Sequence, residues 1–422
     1  MMLLRAVVSA GLVLAVAGAC AANPSIETLR AGSVSRQQPA ADAPVREVAA
    51  AITGLGYRLE TSAFPAGQNG VLSPLSIAYA FAMARAGAGG ATAAQLDRVL
   101  GFPPAGLPDA VNAITRQVVT ADVPPLAPAR PRTDGQPRPT VVSVGNGVFP
   151  QRGLPIGEPF LHLLAAQYGA VVHPVDFAGG RVSELINQWA DRQTAGRIKK
   201  VFDALPPDTK LVLANTVYLR ADWARAIFAE DPVTDQPFTR LDGTTVAAPM
   251  MHGQGQLRYA AGTGWQAVEV PYADGHLAMR ILLPAPKQAP GRLLAPATMS
   301  AVTAALKPAD VGVTMPRWDF GSNLDLVPAL QALGLTEPFG ATADFTAISP
   351  GLRVDQAMHR ATITVDEWGT EAAAVTGLAF ATAAKPPPAI ELTVDRPFAF
   401  AVLDTATGVP LFMGQVADPS VH

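Results

Sequence analysis

Residues able to do covalent or metal chemistry are few and scattered in this 422-residue chain. The six histidines, His162, His173, His252, His276, His359 and His422, never fall at the spacing that puts two imidazoles on one helical face for zinc. Cys20 is the only cysteine, so no intrachain disulfide can form. No Gly-x-Ser-x-Gly elbow, Ser-x-x-Lys pair or His-Glu-x-x-His helix occurs, which removes the usual marks of an activated nucleophile or a metal-bound water. Gly253-Gln254-Gly255 and Gly145-Asn146-Gly147 do not extend into a dinucleotide fingerprint and read as turns. The expectation is a protein with no catalytic residues, metal or cofactor, and not an enzyme.

Any functional segment must then be presented by a large folded body. Hydrophobic residues are 49% and charged residues 15% of the chain, enough apolar material for an extensive core. No spacer divides the chain into self-similar halves, so one domain is expected. A net charge of -3 without long basic runs excludes nucleic acid as a natural partner. Ser73-Pro74-Leu75-Ser76 opens a helix, with Ser73 accepting from first-turn amides and Pro74 at the first helical position. Gly87, Gly89 and Gly90 stop it. Thr92-Ala93-Ala94-Gln95 has the spacing of a capping box and leads into a helix ended by Gly101. Prolines crowd the stretch from Val123 to Pro139 among Arg130, Arg132 and Arg138, a surface loop that offers a weak basic patch. Strand-like runs at Thr140–Val144, Leu211–Leu219, Leu277–Leu283, Thr362–Val365, Ile390–Val394 and Phe398–Leu403, with a helical stretch at Arg181–Gln193, predict a mixed α+β domain.

The first twenty residues read as an export signal: Arg5, an apolar run from Ala6 to Ala17, then small residues before Cys20. Cys20 after Ala17-Gly18-Ala19 resembles a bacterial lipobox, with Ala17 where Leu is preferred, and a lipid anchor on Cys20 is expected. The alternative is cleavage near Ala19 and release; both routes place the protein outside the cytoplasm. Residues 21–44 lack apolar periodicity and read as a flexible tether, with a single folded body over 45–422.

Several blocks between Asn69 and Pro419, in one order, resemble the serpin family. They are Asn69-Gly70-Val71-Leu72-Ser73-Pro74-Leu75-Ser76-Ile77-Ala78, Leu213-Ala214-Asn215-Thr216-Val217-Tyr218-Leu219 with Trp223, and Pro249-Met250-Met251. Val270-Pro271-Tyr272, Asp395-Arg396-Pro397-Phe398 and Pro410-Leu411-Phe412-Met413-Gly414 follow. Val365-Asp366-Glu367-Trp368-Gly369-Thr370-Glu371-Ala372-Ala373-Ala374 is similar to the hinge of inhibitory serpins, with Trp368 where Glu or Lys is usual. The resemblance implies a serpin fold of three β-sheets and about eight to nine helices, with an exposed reactive-centre loop at about 367–390. It implies a suicide substrate: a serine protease cleaves the loop, the loop inserts into the main sheet, and the covalent acyl-enzyme is dragged along and distorted. It further implies a hinge of Glu367, Gly369, Thr370, Glu371, Ala372, Ala373 and Ala374, and a hydrogen-bonded shutter of Ser73, Ser76, Asn215 and His359 beneath the sheet. An ion pair of Arg317 with Glu367 beside Trp223 would form the breach at its top. A monomer is expected, with contact to a membrane only through the lipid anchor.

Strand physics fits that hinge. A loop that becomes a buried middle strand needs small side chains at alternate positions, which Thr370, Ala372, Ala374 and Thr376 supply, while Glu371 falls on the opposite face. No proline lies between Glu367 and Lys385, so every residue there can donate to a ladder. Family spacing from Gly369 puts the reactive bond at Ala383-Ala384, with Phe380, Thr382 and Lys385 as alternatives. Pro386 after Lys385 disfavours a trypsin-like cut, and the small residues favour elastase-like or subtilisin-like targets. A non-inhibitory carrier or chaperone with the same fold is the competing reading; its hinge would be broken by bulky or charged residues.

Overall fold

The computed structural model describes residues 27–29, 34–122, 124, 137–224, 227–228, 232–370 and 387–421. Eight α-helices lie among them: α1 Val45–Ala63, α2 Pro74–Ala86, α3 Gly90–Leu100, α4 Leu107–Val118, α5 Glu158–Leu163, α6 Val182–Gln193, α7 Pro296–Ala305 and α8 Leu326–Ala332. The strands are β1 Gly70–Leu72, β2 Val141–Pro150, β3 Leu211–Asp222, β4 Thr234–Thr239, β5 Thr245–Gly262, β6 Trp265–Pro271 and β7 Leu277–Pro284. β8 Lys307–Pro316, β9 Trp318–Asp325, β10 Gln356–Asp366, β11 Gly369–Thr370, β12 Ile390–Thr393, β13 Phe398–Asp404 and β14 Pro410–Val416 complete them.

These strands form a five-stranded sheet, β2-β3-β11-β10-β9, and a nine-stranded one, β1-β14-β13-β7-β6-β5-β8-β12 with β4 beside β5. The larger sheet has two halves that share β5: its first part pairs with β4 and β8, its last residues with β6. Apolar side chains from α1, α2 and both sheets, among them Leu55, Phe81, Leu213, Ile363, Ile281 and Phe400, make one core. A second cluster, including Phe149, Ile186, Trp189 and Val212, seats α6 on the other face of the small sheet. Leu213 and Val212 point to opposite clusters because strand side chains alternate, so β3 is covered on both faces.

The sequence signals at α2 act as expected: Ser73 Oγ accepts from the Ser76 N–H and Pro74 opens the helix. The capping box at Thr92 does not form. α3 begins at Gly90, and Thr92 Oγ1 accepts from the Asp344 N–H while Gln95 Oε1 accepts from Thr336 and Glu337 N–H groups. Tertiary donors won both side chains. The two Gly-x-Gly stretches are not turns either, since Gly145–Gly147 lies in β2 and Gly253–Gly255 in β5. A Cβ at Gly145 would come within 2.5 Å of Thr216 Oγ1, and one at Gly253 within 2.6 Å of the Ile227 carbonyl, so these glycines allow close approach inside strands.

Residues 34–44 and 27–29, expected within a flexible tether, pack on the body. The Leu29 N–H donates to the Val172 carbonyl, and the half-buried Arg36 guanidinium bonds Asn112 Oδ1 and Thr115 Oγ1 on α4. Asn112 Nδ2 in turn donates to the Gln37 carbonyl. Polar residues that look unpatterned in sequence are here paid by hydrogen bonds to a helix, not by apolar periodicity.

Near the end of α1, Glu60 is 1% exposed, and among the described residues neither carboxylate oxygen has a hydrogen-bond partner. Burial pushes its pKa up to about 7. A carboxyl whose folded pKa lies above its unfolded value destabilises the fold as pH rises from about 4.5 through 7. Glu60→Gln should therefore stabilise the protein at pH 8 by on the order of 3 kcal/mol, with the gain vanishing below pH ~4.5. Urea unfolding of both proteins at pH 4.5 and pH 8 checks this; equal midpoints at pH 8 refute it.

Candidate functional site

The hinge segment stands at an interrupted ladder. β3 and β10 pair in parallel only from Val212–Thr216 against Gln356–Arg360. Beyond Thr216 and Arg360 they diverge, and β11 sits between them at the far end. Thr370 lies opposite both Val365 and Ala221, and Gly369 opposite Asp366 and Asp222, antiparallel to each neighbour. Between these pairings, and among the described residues, Val217–Arg220 and Ala361–Thr364 do not pair with each other, and a small cavity there is lined by Arg197, Tyr218, Leu219, Thr362, Ile363, Thr364, Thr370 and Phe412.

A tight turn over Glu367 and Trp368 delivers β11 into this position. The Asp366 carboxylate accepts from the Trp368 and Gly369 N–H groups at 2.8 and 3.2 Å. Burial raises the Asp366 pKa to about 7, the nearby Glu367 adding to the effect and the two N–H donors opposing it. Trp223, fully buried, brackets the turn: its backbone N–H donates to the Trp368 carbonyl and its indole N–H to the Asp366 carbonyl, both at 3.0 Å. Its ring stacks on Tyr272 with centroids 4.7 Å apart. Arg317 Nη2 donates to Glu367 Oε1 at 2.5 Å, with Arg317 38% and Glu367 16% exposed. The structure thus brings Trp223, Arg317 and Glu367 together.

Gly369 has φ +151°, and a Cβ there would meet the Ala221 carbonyl oxygen at 2.1 Å. Only glycine fits. Thr370 is buried, with its hydroxyl 2.5 Å from the Tyr272 hydroxyl. Asp222, opposite Gly369, accepts from the backbone and the guanidinium of Arg138, at 2.7 Å and 2.6 Å. Arg138 is therefore committed to a buried carboxylate and is no part of an open basic patch. Arg130 and Arg132 lie outside the described residues.

Below the opening, Ser73, Ser76, Asn215 and His359 also meet. The Ser73 N–H donates to His359 Nε2 at 3.0 Å, so the ring proton is on Nδ1 and is donated to Asn215 Oδ1 at 2.5 Å. Asn215 Nδ2 then donates to the Ser76 carbonyl and to Asn146 Oδ1, and Ser76 Oγ to the Thr216 carbonyl. Each polar group polarises the next in one direction. Burial lowers the His359 pKa to about 3, so the ring stays neutral at ordinary pH. Asn146, Tyr272, Asp222 and Asp366 were not expected as parts of the site: Tyr272 and Asp366 stood in the family blocks without a role, and Asn146 was signalled only by two flanking glycines.

Glu371, Ala372, Ala373 and Ala374 of the hinge lie outside the described residues. So do Phe380, Thr382, Ala383, Ala384, Lys385 and Cys20. No group of three or more His, Cys, Asp or Glu side chains arranged to hold a metal occurs among the described residues, and no described helix is long and apolar enough to cross a membrane.

The family model described as "Serpin (serine protease inhibitor)" matches residues 54–419. Serpin-Z1C of Triticum aestivum is 32% identical over 376 residues, covering 84% of this chain and 91% of its own length. Neuroserpin of Gallus gallus is 32% identical over 373 residues, covering 83% of this chain and 86% of its own. Among solved structures, the thermophilic serpin tengpin in its native state superposes with a TM-score of 0.79 at 23% identity, covering 94% of this chain and all of that one. Thyroxine-binding globulin in complex with thyroxine gives 0.75 at 22% identity, covering 89% and 99%. Both show the same fold.

His359→Leu would orphan the Ser73 N–H and the Asn215 carbonyl in the interior, costing about 2–4 kcal/mol. A histidine whose folded pKa is depressed contributes stability that is present above 6.5 and lost as pH falls toward 3. Urea midpoints at pH 7.5 and pH 5 should fall with acid in the parent protein, and by less in His359→Leu. An unchanged midpoint at pH 7.5 would show that the chain of bonds does not hold the strands.

Proposed function

Because the chain belongs to the serpin family and has its fold, in a family made up mostly of protease inhibitors, we propose that it is a suicide-substrate inhibitor of serine proteases. The observation that carries this reading is β11: the first residues of the hinge already pair with both strands at the mouth of an open ladder. A protease cleaves the loop and forms the acyl-enzyme; the serine hydroxyl adds to the scissile carbonyl and the amine leaves on the downstream peptide. The upstream arm then advances from Thr370 into the opening with the protease still esterified to it. About fifteen residues at roughly 3.3 Å each carry the protease some 50 Å, the length of the sheet or more.

The described residues have matching parts. Ser73, Ser76, Asn215 and His359 form the shutter that lets β3 and β10 part, and Arg317, Glu367 and Trp223 hold the base of the loop at the breach. The reactive bond is Ala383-Ala384, with Phe380, Thr382 and Lys385 as alternatives, which favours elastase-like or subtilisin-like targets. Cys20 serves as the lipid anchor at the end of an export signal, and the inhibitor acts as a monomer outside the cytoplasm. A carrier with this fold needs no travelling arm, and nothing in the sequence of the hinge blocks the arm from moving.

Mixing the protein with elastase, subtilisin, chymotrypsin and trypsin should give a covalent complex on denaturing gels with the first two, and mass analysis of the released peptide should begin at Ala384. Clean cleavage by all four without a complex would overturn inhibition. Thr370→Arg should convert the inhibitor into a substrate, cutting complex yield at least about tenfold, because a charge would enter a buried site now filled by a threonine against Tyr272. Undiminished complex in that variant argues against insertion.

A further inference from the structure

Thr370 is held from two directions that behave differently when the small sheet opens. Its backbone pairs with Val365 of β10 and Ala221 of β3, the strands that must part. Its side chain instead touches the larger sheet: the Thr370 hydroxyl lies 2.5 Å from the hydroxyl of Tyr272, which follows the last residue of β6. Both residues are buried, and among the described residues neither hydroxyl has a second partner. Burial holds the Tyr272 phenol above its ordinary pKa, so it keeps its proton.

Tyr272 is a fixed post. Its ring lies flat on Trp223, with centroids 4.7 Å apart and planes 10° from parallel, and Phe228 meets Trp223 edge-on at 5.9 Å. Its backbone N–H donates to the Leu277 carbonyl and its carbonyl accepts from the Gly275 N–H. Within the same turn the Asp274 carboxylate accepts from the His276 and Leu277 N–H groups. The end of β3 is moored here as well: the Ala224 N–H donates to the Pro271 carbonyl, and the Ala273 N–H to the Asp222 carbonyl. The side chain of Thr370 therefore rests on a part of the fold outside the gap between β3 and β10.

Adding a strand is limited by its first rung, because a residue must be ordered before any ladder bond forms. The acyl-enzyme meanwhile has a second exit. Water adds to the ester carbonyl, the serine oxygen leaves and takes a proton, and the arm is freed as a carboxylic acid with the protease restored. We propose that Tyr272 is a positioning residue for inhibition: its hydroxyl seats Thr370 as a ready first rung, so that insertion starts by extension and outruns hydrolysis of the ester. This rests on the insertion reading above.

The readout is the ratio of cleaved inhibitor to covalent complex, measured with whichever of the four proteases the parent protein traps. Tyr272→Phe and Thr370→Val each leave one buried hydroxyl without its partner. Each should raise the ratio about fivefold or more, with the rate of first encounter with the protease within about twofold of the parent. Thr370→Ser, the conservative variant that keeps the hydroxyl, should recover most of the loss seen with valine. The double variant leaves no orphan and should be no worse than the more affected single one. An unchanged ratio in both single variants overturns the seat. So do effects that multiply in the double variant, or a serine as damaging as valine, either of which makes the contact packing alone. If Tyr272→Phe does not fold, serine against valine at position 370 decides. If the parent protein traps no protease, the inhibitor reading fails, and the seat is read in the uncleaved protein by hydrogen exchange of the Thr370 amide. About fivefold faster exchange in Tyr272→Phe then supports it, and equal exchange refutes it.

Discussion

The ladder between β3 and β10 runs for five residue pairs and then stops four residues short of the hinge. Among the described residues, Val217–Arg220 of β3 pair only with β2, and Ala361–Thr364 of β10 only with β9. A strand filling four rungs would gain about eight ladder bonds, at about 1 kcal/mol net each. That is comparable with the whole stability of an ordinary domain, about 5–15 kcal/mol. On the proposed reading a segment of the protein's own chain would supply that pairing, and the turn at Asp366–Gly369 and the bonded cluster around His359 flank the place it would take.

Two sets of contacts flank that place. Above, the turn at Asp366–Gly369 is pinned by Trp223 and by the Asp366 carboxylate, which sets Gly369 between Asp366 and Asp222. Below, the directional chain through Ser73, His359, Asn215 and Asn146 ties β3 to β2, β10 and the start of α2. Both sets are hydrogen bonds among uncharged or turn-bound groups. They can break and re-form as strands slide, whereas interlocked apolar side chains would have to repack. A neutral His359 is suited to this, because a charged ring would lose its acceptor role toward the Ser73 N–H.

Much of this was legible in sequence where one residue does one local job. Ser73 and Pro74 marked the start of α2, and Gly369 and Thr370, in the block that resembles the serpin hinge, form β11. Thr92-Ala93-Ala94-Gln95 looked equally clear and was misleading, because donors from the 336–344 region outcompeted the local cap. The glycines of Gly145-Asn146-Gly147 read as a turn because a sequence does not show which backbone will press against them. That pressing neighbour, Thr216 on β3, is also what puts Asn146 within reach of Asn215. Residues 34–44 were hidden for a similar reason, since Arg36 is anchored by Asn112 and Thr115, seventy-odd residues away.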